Sequence, residues 1–198
     1  MTPALLHRLI VAVSDDLIAH ADELTALDQA VGDGDHGVNV KRGFEAVRAD
    51  AAATAEKPLP EALKAIGTQL VMKVGGASGP LYGTLFLALS KEIASDGSNL
   101  PAAFSKAVEA VKARGKSQPG QKTMLDVLTP VQAALAEGGP DLRARLPIVA
   151  SSAAEATIPM LATRGRASFL GERSIGHMDP GARSTALMVA SVCRALEG

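Results

Sequence analysis

Three carboxylates fall within eight positions of the segment LDQAVGDGDHGVNV: Asp28, Asp33 and Asp35. Side chains so close repel one another unless a cation neutralises them. An all-oxygen ligand set suits magnesium, manganese or calcium rather than zinc. Magnesium characteristically takes a few carboxylates and completes its shell with water and substrate phosphates. Gly32, Gly34 and Gly37 flank the acids, and glycine admits the positive φ of a tight loop and the close approach of a ligand. On one uninterrupted helix Asp28 and Asp33 would sit about 140° apart. A helix break is therefore needed to gather the three, and the glycines supply it.

Other readings of this segment compete. The glycines formally match G-x-G-x-x-G, but a helical pattern precedes them where a dinucleotide-binding unit needs a strand, and aspartates would repel a bare pyrophosphate. A calcium loop starting at Asp33 fails at Gly37, Val38 and Phe44, where it requires Asp or Asn, Gly and Glu. Alone, the segment also fits a capped helix start with solvated acids.

Three further loops carry unusual residues. GGASGP, from Gly75 to Pro80, leads into a helix whose free N–H groups and Ser78 hydroxyl suit anionic oxygens. It is not a Walker loop, since no lysine follows its glycines. GKSQPGQKTM, from Gly115 to Met124, reads as a surface loop in which Thr123 and Met124 can touch a flat ligand such as adenine. The long stretch from Thr163 to Arg183 holds Arg164, Arg166, Arg173 and Arg183, whose forked guanidinium groups suit phosphate, together with His177 and Asp179. No Ser-His-Asp order, H-E-x-x-H or C-x-x-C occurs. The chain thus offers ligands for metal and phosphate but no evident general base, as phosphoryl transfer by positioning and charge neutralisation would have it.

The elements that must hold these loops are helices. Leu5, Leu6, Leu9, Ile10, Val13, Leu17 and Ile18 keep helical spacing. Further helices are expected from His36 to about Ala53, Leu59 to Lys73, Pro80 to Ile93, and after the capping candidates Ser98 and Asn99. A sixth follows Met124, kinked or cut by Pro130. A seventh runs from about Asp141 to Thr163 with bends at Pro147 and Pro159. The last starts at Asp179-Pro180, where Asp caps and Pro takes the first position. With no strand signal, the expectation is an all-α, antiparallel eight-helix bundle or barrel whose alternate loops share an end.

Composition agrees. The 198 residues fit one domain, 47% are hydrophobic and 3% aromatic, with no Trp and one Tyr. The core must come from Ala, Leu, Val and Ile. Scarce aromatics and a net charge of −1 argue against nucleic acid and anionic membranes as partners. The lone Cys193 reads as a core thiol, no apolar run is long enough to span a membrane, and no signal-peptide cleavage site stands out, so a cytoplasmic protein is expected.

LDQAVGDGDHGVNV, GGASGPLYGT, KTMLDVLTP and GRASFLGERSIGHMDPGA occur in that order, and together they resemble the nucleotide-binding (L) subunits of dihydroxyacetone kinases over about Leu27 to Ala190. The resemblance implies an eight-helix barrel with ADP or ATP at one end and two magnesium ions on Asp28, Asp33 and Asp35. It implies phosphate-side contacts at His36, Gly37, Val38 and Asn39, with Ala77 and Ser78 nearby. Gly115, Thr123 and Met124 match positions around the base. Arg166 matches a nucleotide contact and is the expected catalytic residue; Asp179, Pro180 and Gly181 form the remaining turn. Gln121 replaces an expected acid, and Phe169 a more usual tyrosine. A lone L unit points to the phosphoenolpyruvate-dependent form, with a dihydroxyacetone-binding K subunit and a phosphohistidine-carrying M subunit as partners. A split ATP-dependent ketose kinase and a nucleotide-sensing regulatory module are the alternatives, and a homodimer is left open.

Overall fold

The computed structural model describes residues 1–96 and 99–197. They form ten α-helices, one 3-10 helix and no strand. Eight of the helices correspond to those expected: α1 (Pro3–Ala19), α3 (His36–Ala49), α5 (Leu59–Lys73), α6 (Ser78–Asp96), α7 (Leu100–Gly115), α8 (Leu125–Glu137), α9 (Leu142–Glu155) and α10 (Pro180–Ala195). In the order α1, α3, α5, α6, α7, α8, α9, α10 each packs on the next, and α10 packs back on α1. The ring is closed. Two short helices lie beside it: α2 (Ala21–Val31), against α3 and α10, and α4 (Ala51–Ala55), against α1 and α5.

Local chemistry explains the helix starts. Thr2 accepts the Leu5 N–H, Asn99 the Ala102 N–H at 3.0 Å, and Asp179 the Ala182 N–H at 2.7 Å, each just before a helix with proline in its first turn. Ser98, the other capping candidate, lies outside the described residues. Pro130 and Pro147 sit inside α8 and α9 without ending them.

Three boundaries differ from expectation. His20 alone separates α1 from α2, and Asp50 alone separates α3 from α4; a one-residue break hardly disturbs the period of the pattern. More substantially, α9 stops at Glu155 rather than near Thr163. Thr157 Oγ1 donates to Ala154 O at 2.6 Å, and the Lys122 ammonium donates to the carbonyls of Thr157, Ile158 and Met160 at 2.8, 3.3 and 3.1 Å. Carbonyls that would have continued the helix are captured elsewhere.

The core is aliphatic, with Leu17, Leu24, Leu70, Leu125 and Leu128 fully buried around Phe44 and Tyr82. Small residues let helices touch. A Cβ on Gly67 would come within 3.0 Å of the Gly83 carbonyl oxygen, and one on Gly83 within 2.9 Å of that of Gly67. Gly37 is tighter still: a Cβ there would run into the Ala21 carbonyl and the Thr25 side chain of α2. No helix among the described residues is long and apolar enough to cross a membrane.

Gly37→Ala is expected to destabilise the fold by about 1–3 kcal/mol through overpacking of α2 against α3, read as a lowered urea midpoint at unchanged m-value.

Candidate functional site

Asp28 lies in the last turn of α2, and the loop from Gly32 to Asp35 turns the chain into α3, with Gly34 at φ 76°. Asp28 Oδ2 accepts the His36 main-chain N–H at 3.0 Å, so the carboxylate at the end of one helix fastens the start of the next. One oxygen from each of Asp28, Asp33 and Asp35 lies within 4.8 Å of the others. Asp28 is buried, Asp35 half-buried and Asp33 exposed. Arg166, at the start of the 3-10 helix Arg166–Ser174, pairs with Asp33 Oδ2 at 2.6 Å. The glycine break expected from the sequence does gather the three acids.

The cluster opens into a cavity of about 160 Å³ that also receives His36, Ala77 and Ser78. Thr123, Met124 and Arg166 line it as well, as does the Asp179-Pro180-Gly181 turn. A second cavity, of about 390 Å³, adjoins it through Ala77, Leu81, Thr123, Met124, Arg164 and Gly165. Its far wall combines the apolar Pro80, Val111 and Leu125 with Gly115, Arg114 and Ser117. The two make one cleft, acidic at one end and richer in apolar side chains at the other, where Arg114 stands at the wall.

Three residues expected on the phosphate side do not line the cleft. Gly37 packs on α2, Val38 is 58% exposed, and Asn39 is buried beneath Gly75, its Oδ1 accepting from Arg42 at 2.8 Å. The arginines divide too. Arg164 and Arg166 reach the cleft, Arg183 pairs with Glu23 of α2 at 2.6 Å, and Arg173 is exposed, as is His177. Phe169 is 88% exposed, and Gln121 Oε1 accepts the Gln118 N–H at 2.8 Å within its own loop.

Besides His36, which the sequence singled out, three residues that shape the site lie inside the quoted motifs without having been assigned a role. Lys122, 1% exposed and at φ 61°, holds the 116–124 loop against the chain that follows α9. Desolvation lowers its pKa, and Asp179 acts against that. Asp126 is buried and accepts the N–H groups of Gly120 and Thr123, fixing the same loop from within. Tyr82 Oη lies 2.6 Å from Ser184 Oγ and 3.2 Å from Thr185 Oγ1, and burial pushes its pKa up to about 12. His36 is buried with both ring nitrogens engaged, Nδ1 3.0 Å from Ser78 Oγ and Nε2 2.9 Å from Ser184 Oγ. Desolvation lowers its pKa, while the charges of Asp28 and Asp35 oppose the shift.

A closed helical ring that brings three carboxylates to one end, beside a slot richer in apolar side chains, has the ligand set for a hard divalent cation and room for an organic group next to it. The comparisons give the family. The DAK2 domain matches residues 30–194, and the chain belongs to the Dak2 family. It is 48% identical over 170 residues to "PEP-dependent dihydroxyacetone kinase 1, ADP-binding subunit DhaL" of Listeria innocua, covering 83% of this chain and 82% of that one. It is 41% identical over 186 residues to the corresponding ADP-binding subunit DhaL of Escherichia coli (strain K12), covering 88% of each. The crystal structure of the dihydroxyacetone kinase from C. freundii in complex with AMP-PNP and Mg2+ matches with a TM-score of 0.79 at 26% identity, over 96% of this chain and 34% of that one. The chain thus spans about a third of that longer enzyme.

Burial pushes the Asp179 carboxyl up to about 7 from an ordinary 3.8; the charges of Asp126 and Asp28 add to this, and the Ala182 amide and Lys122 oppose it. A folded pKa above the unfolded one means that the native state binds the extra proton between those values. This contribution to stability is therefore complete below about pH 4 and lost as pH rises through about 7. Asp179→Asn keeps the cap and should flatten the fall of Tm with pH across that window, measured by thermal melts in magnesium-free buffer.

Proposed function

We propose that this chain is the ADP-binding subunit of a phosphoenolpyruvate-dependent dihydroxyacetone kinase, a phosphotransferase component acting in the cytoplasm with residues 1–198 as one L-type unit. The observation that carries the reading is the carboxylate triad, one oxygen of each within 4.8 Å of the others, at the acidic end of a cleft whose other end holds Pro80, Leu81, Val111, Met124 and Leu125. Matches of 82% and 88% along relatives that are themselves ADP-binding subunits support it.

In this reading Asp28, Asp33 and Asp35 hold two magnesium ions, which neutralise phosphate oxygens when bound. The first turns of α3 and α6 face the phosphates with their helix N-termini, and His36 and Ser78 belong to those turns. Gly115, Thr123 and Met124 flank the base, with Leu81 and Val111 excluding water. The Asp179-Pro180-Gly181 turn closes the remaining side. Arg166, held at Asp33, stabilises the charge that develops as the phosphoryl group moves. The ketose and the group that takes its proton come from a separate K subunit, and a phosphohistidine on an M subunit restores ATP from the retained ADP.

The test is to denature the purified protein and identify released nucleotide by chromatography and mass spectrometry. Near-stoichiometric ADP surviving gel filtration is expected. No retained nucleotide, with weak magnesium-dependent ATP binding, would favour a split ATP-dependent kinase instead. Nucleotide binding without stimulation of triose phosphorylation by K and M subunits would favour a sensing module.

Asp33→Ala should weaken magnesium-dependent ADP binding by at least ~100-fold in calorimetry, since loss of groups one shell further out already costs 10–100-fold. Wild-type affinity in that variant would remove the triad from the site. Arg166→Ala should slow phosphate transfer on the order of 10²–10³-fold while changing ADP affinity far less.

A further inference from the structure

Where the cleft widens beyond the acids, its wall holds one buried hydroxyl. Arg114, Ser117, Thr123 and Arg164 are the polar side chains lining the cavity of about 390 Å³. Both arginines are exposed, and Thr123 Oγ1 already accepts the Leu125 N–H at 3.2 Å. Ser117 differs. It is 7% exposed, and its hydroxyl has no hydrogen-bond partner among the described residues. The side-chain polar atoms that are both orphaned and sealed lie elsewhere, on Ser14, Thr129, Gln132 and Arg145. The Ser117 oxygen is therefore open to the cavity it lines. Buried hydroxyls are nearly always bonded, so one left free at a cavity marks the place of a ligand atom.

The chain is built to put it there. Helix α7 ends at Gly115, and Lys116 follows in the left-handed conformation, φ 48° and ψ 42°, which residues with a side chain rarely adopt. That turn brings the Ser117 N–H back to the Lys112 carbonyl at 3.2 Å. The hydroxyl then lies over the Gly115 Cα: a Cβ there would come within 2.9 Å of Ser117 Oγ and 3.3 Å of Leu81 Cδ2. Any other residue at 115 would crowd the hydroxyl or narrow the slot. Around it, the side chains of Leu81, Val111, Met124 and Leu125 offer no hydrogen-bond donor. A flat heterocycle enclosed by them loses water from its polar edge, and that edge then needs a partner. A serine hydroxyl both donates and accepts, so it can meet an exocyclic amine or a ring nitrogen.

We propose that Ser117 is a specificity-determining residue that hydrogen-bonds the polar edge of the base of a bound nucleotide. The inference rests on the nucleotide-site reading above and adds the contact by which the base, rather than the phosphates, is recognised.

The experiment is calorimetry on the full chain in magnesium, wild type against Ser117→Ala. The probes are ADP, inorganic pyrophosphate, purine riboside diphosphate, which lacks the amino group, and the ADP analogues in which N1, N3 or N7 is replaced by CH. Ser117→Ala should bind ADP ~3- to 10-fold more weakly, the value of one hydrogen bond, and pyrophosphate as well as the wild type does. In the wild type one analogue should show the same loss relative to ADP, and in Ser117→Ala that analogue should bind no worse than ADP. Unchanged ADP affinity in Ser117→Ala overturns the proposal. So does a loss shared by pyrophosphate, the mark of a serine that only holds the loop. Analogue losses that all add in full to the loss from the variant overturn it as well. A wild type that binds neither ADP nor pyrophosphate overturns the nucleotide-site reading and this inference with it, whereas a wild type that binds both, beside an indifferent Ser117→Ala, overturns this inference alone.

Discussion

Everything at the functional end of this protein depends on holding three negative charges together. Two carboxylates about 4.8 Å apart repel by roughly 1 kcal/mol in a water-like medium and roughly 3–4 kcal/mol at the effective dielectric of a protein surface. Three such pairs are significant beside the ~5–15 kcal/mol stability of a typical domain. The fold offsets the repulsion locally. The His36 amide serves Asp28, Arg166 serves Asp33, and the positive end of α3 lies beside Asp35, its N-cap residue. These devices explain the local architecture. Asp28 and Asp35 meet only if α2 and α3 fold back tightly, and that requires the contact at Gly37 that leaves no room for a side chain. A divalent cation would replace the remaining repulsion with attraction, so the framework costs stability without metal and gains it with metal.

The closed ring makes this economical. In successive helices joined by short loops, every second connection comes to the same end. Residues from the first turns of α3, α6 and α10 line the cleft, and Met124 immediately precedes α8. Four helix N-termini thus approach one volume, each with unpaired N–H groups and a partial positive charge. The acids alone would repel an anion; the helix ends surrounding them favour one. Lys122 and Asp126 complete the arrangement by fixing the loop before α8, the first from the chain beyond α9 and the second from inside α8 itself.

What the sequence revealed and what it concealed divide along the range of the interactions involved. The eight ring helices follow from local periodicity, and the carboxylate triad from its spacing within eight residues. The shortening of α9 could not be read there, because its cause is an ammonium 35 residues upstream of Thr157. The contact between Tyr82 and Ser184 behind His36 was equally hidden. Its members are 102 positions apart, and each looks like an ordinary residue of an apolar or small-residue helix. The four arginines between Thr163 and Arg183 show the converse. Their shared chemistry suggested one phosphate-binding group, yet the return of the chain into α10 sends Arg183 to Glu23 and leaves only Arg164 and Arg166 at the cleft.

The same geometry bears on proton transfer. A phosphoryl acceptor hydroxyl must lose its proton to some group, and most groups of this cleft that could take it are already occupied. Both ring nitrogens of His36 are engaged, the Lys122 ammonium is surrounded by three carbonyls, and the Tyr82 hydroxyl is pushed to about 12 within the wall. Asp179 spends one carboxylate oxygen on capping α10, and the triad is suited to metal. Apart from Asp179, whose carboxyl is raised to about 7 and keeps one oxygen beyond the cap, such a site positions and neutralises charge. If it transfers phosphate, the acceptor's proton goes either to that carboxyl or to a base that arrives with the acceptor, and the second course would be a physical reason for the nucleotide and the ketose of the proposed reaction to reside on different subunits.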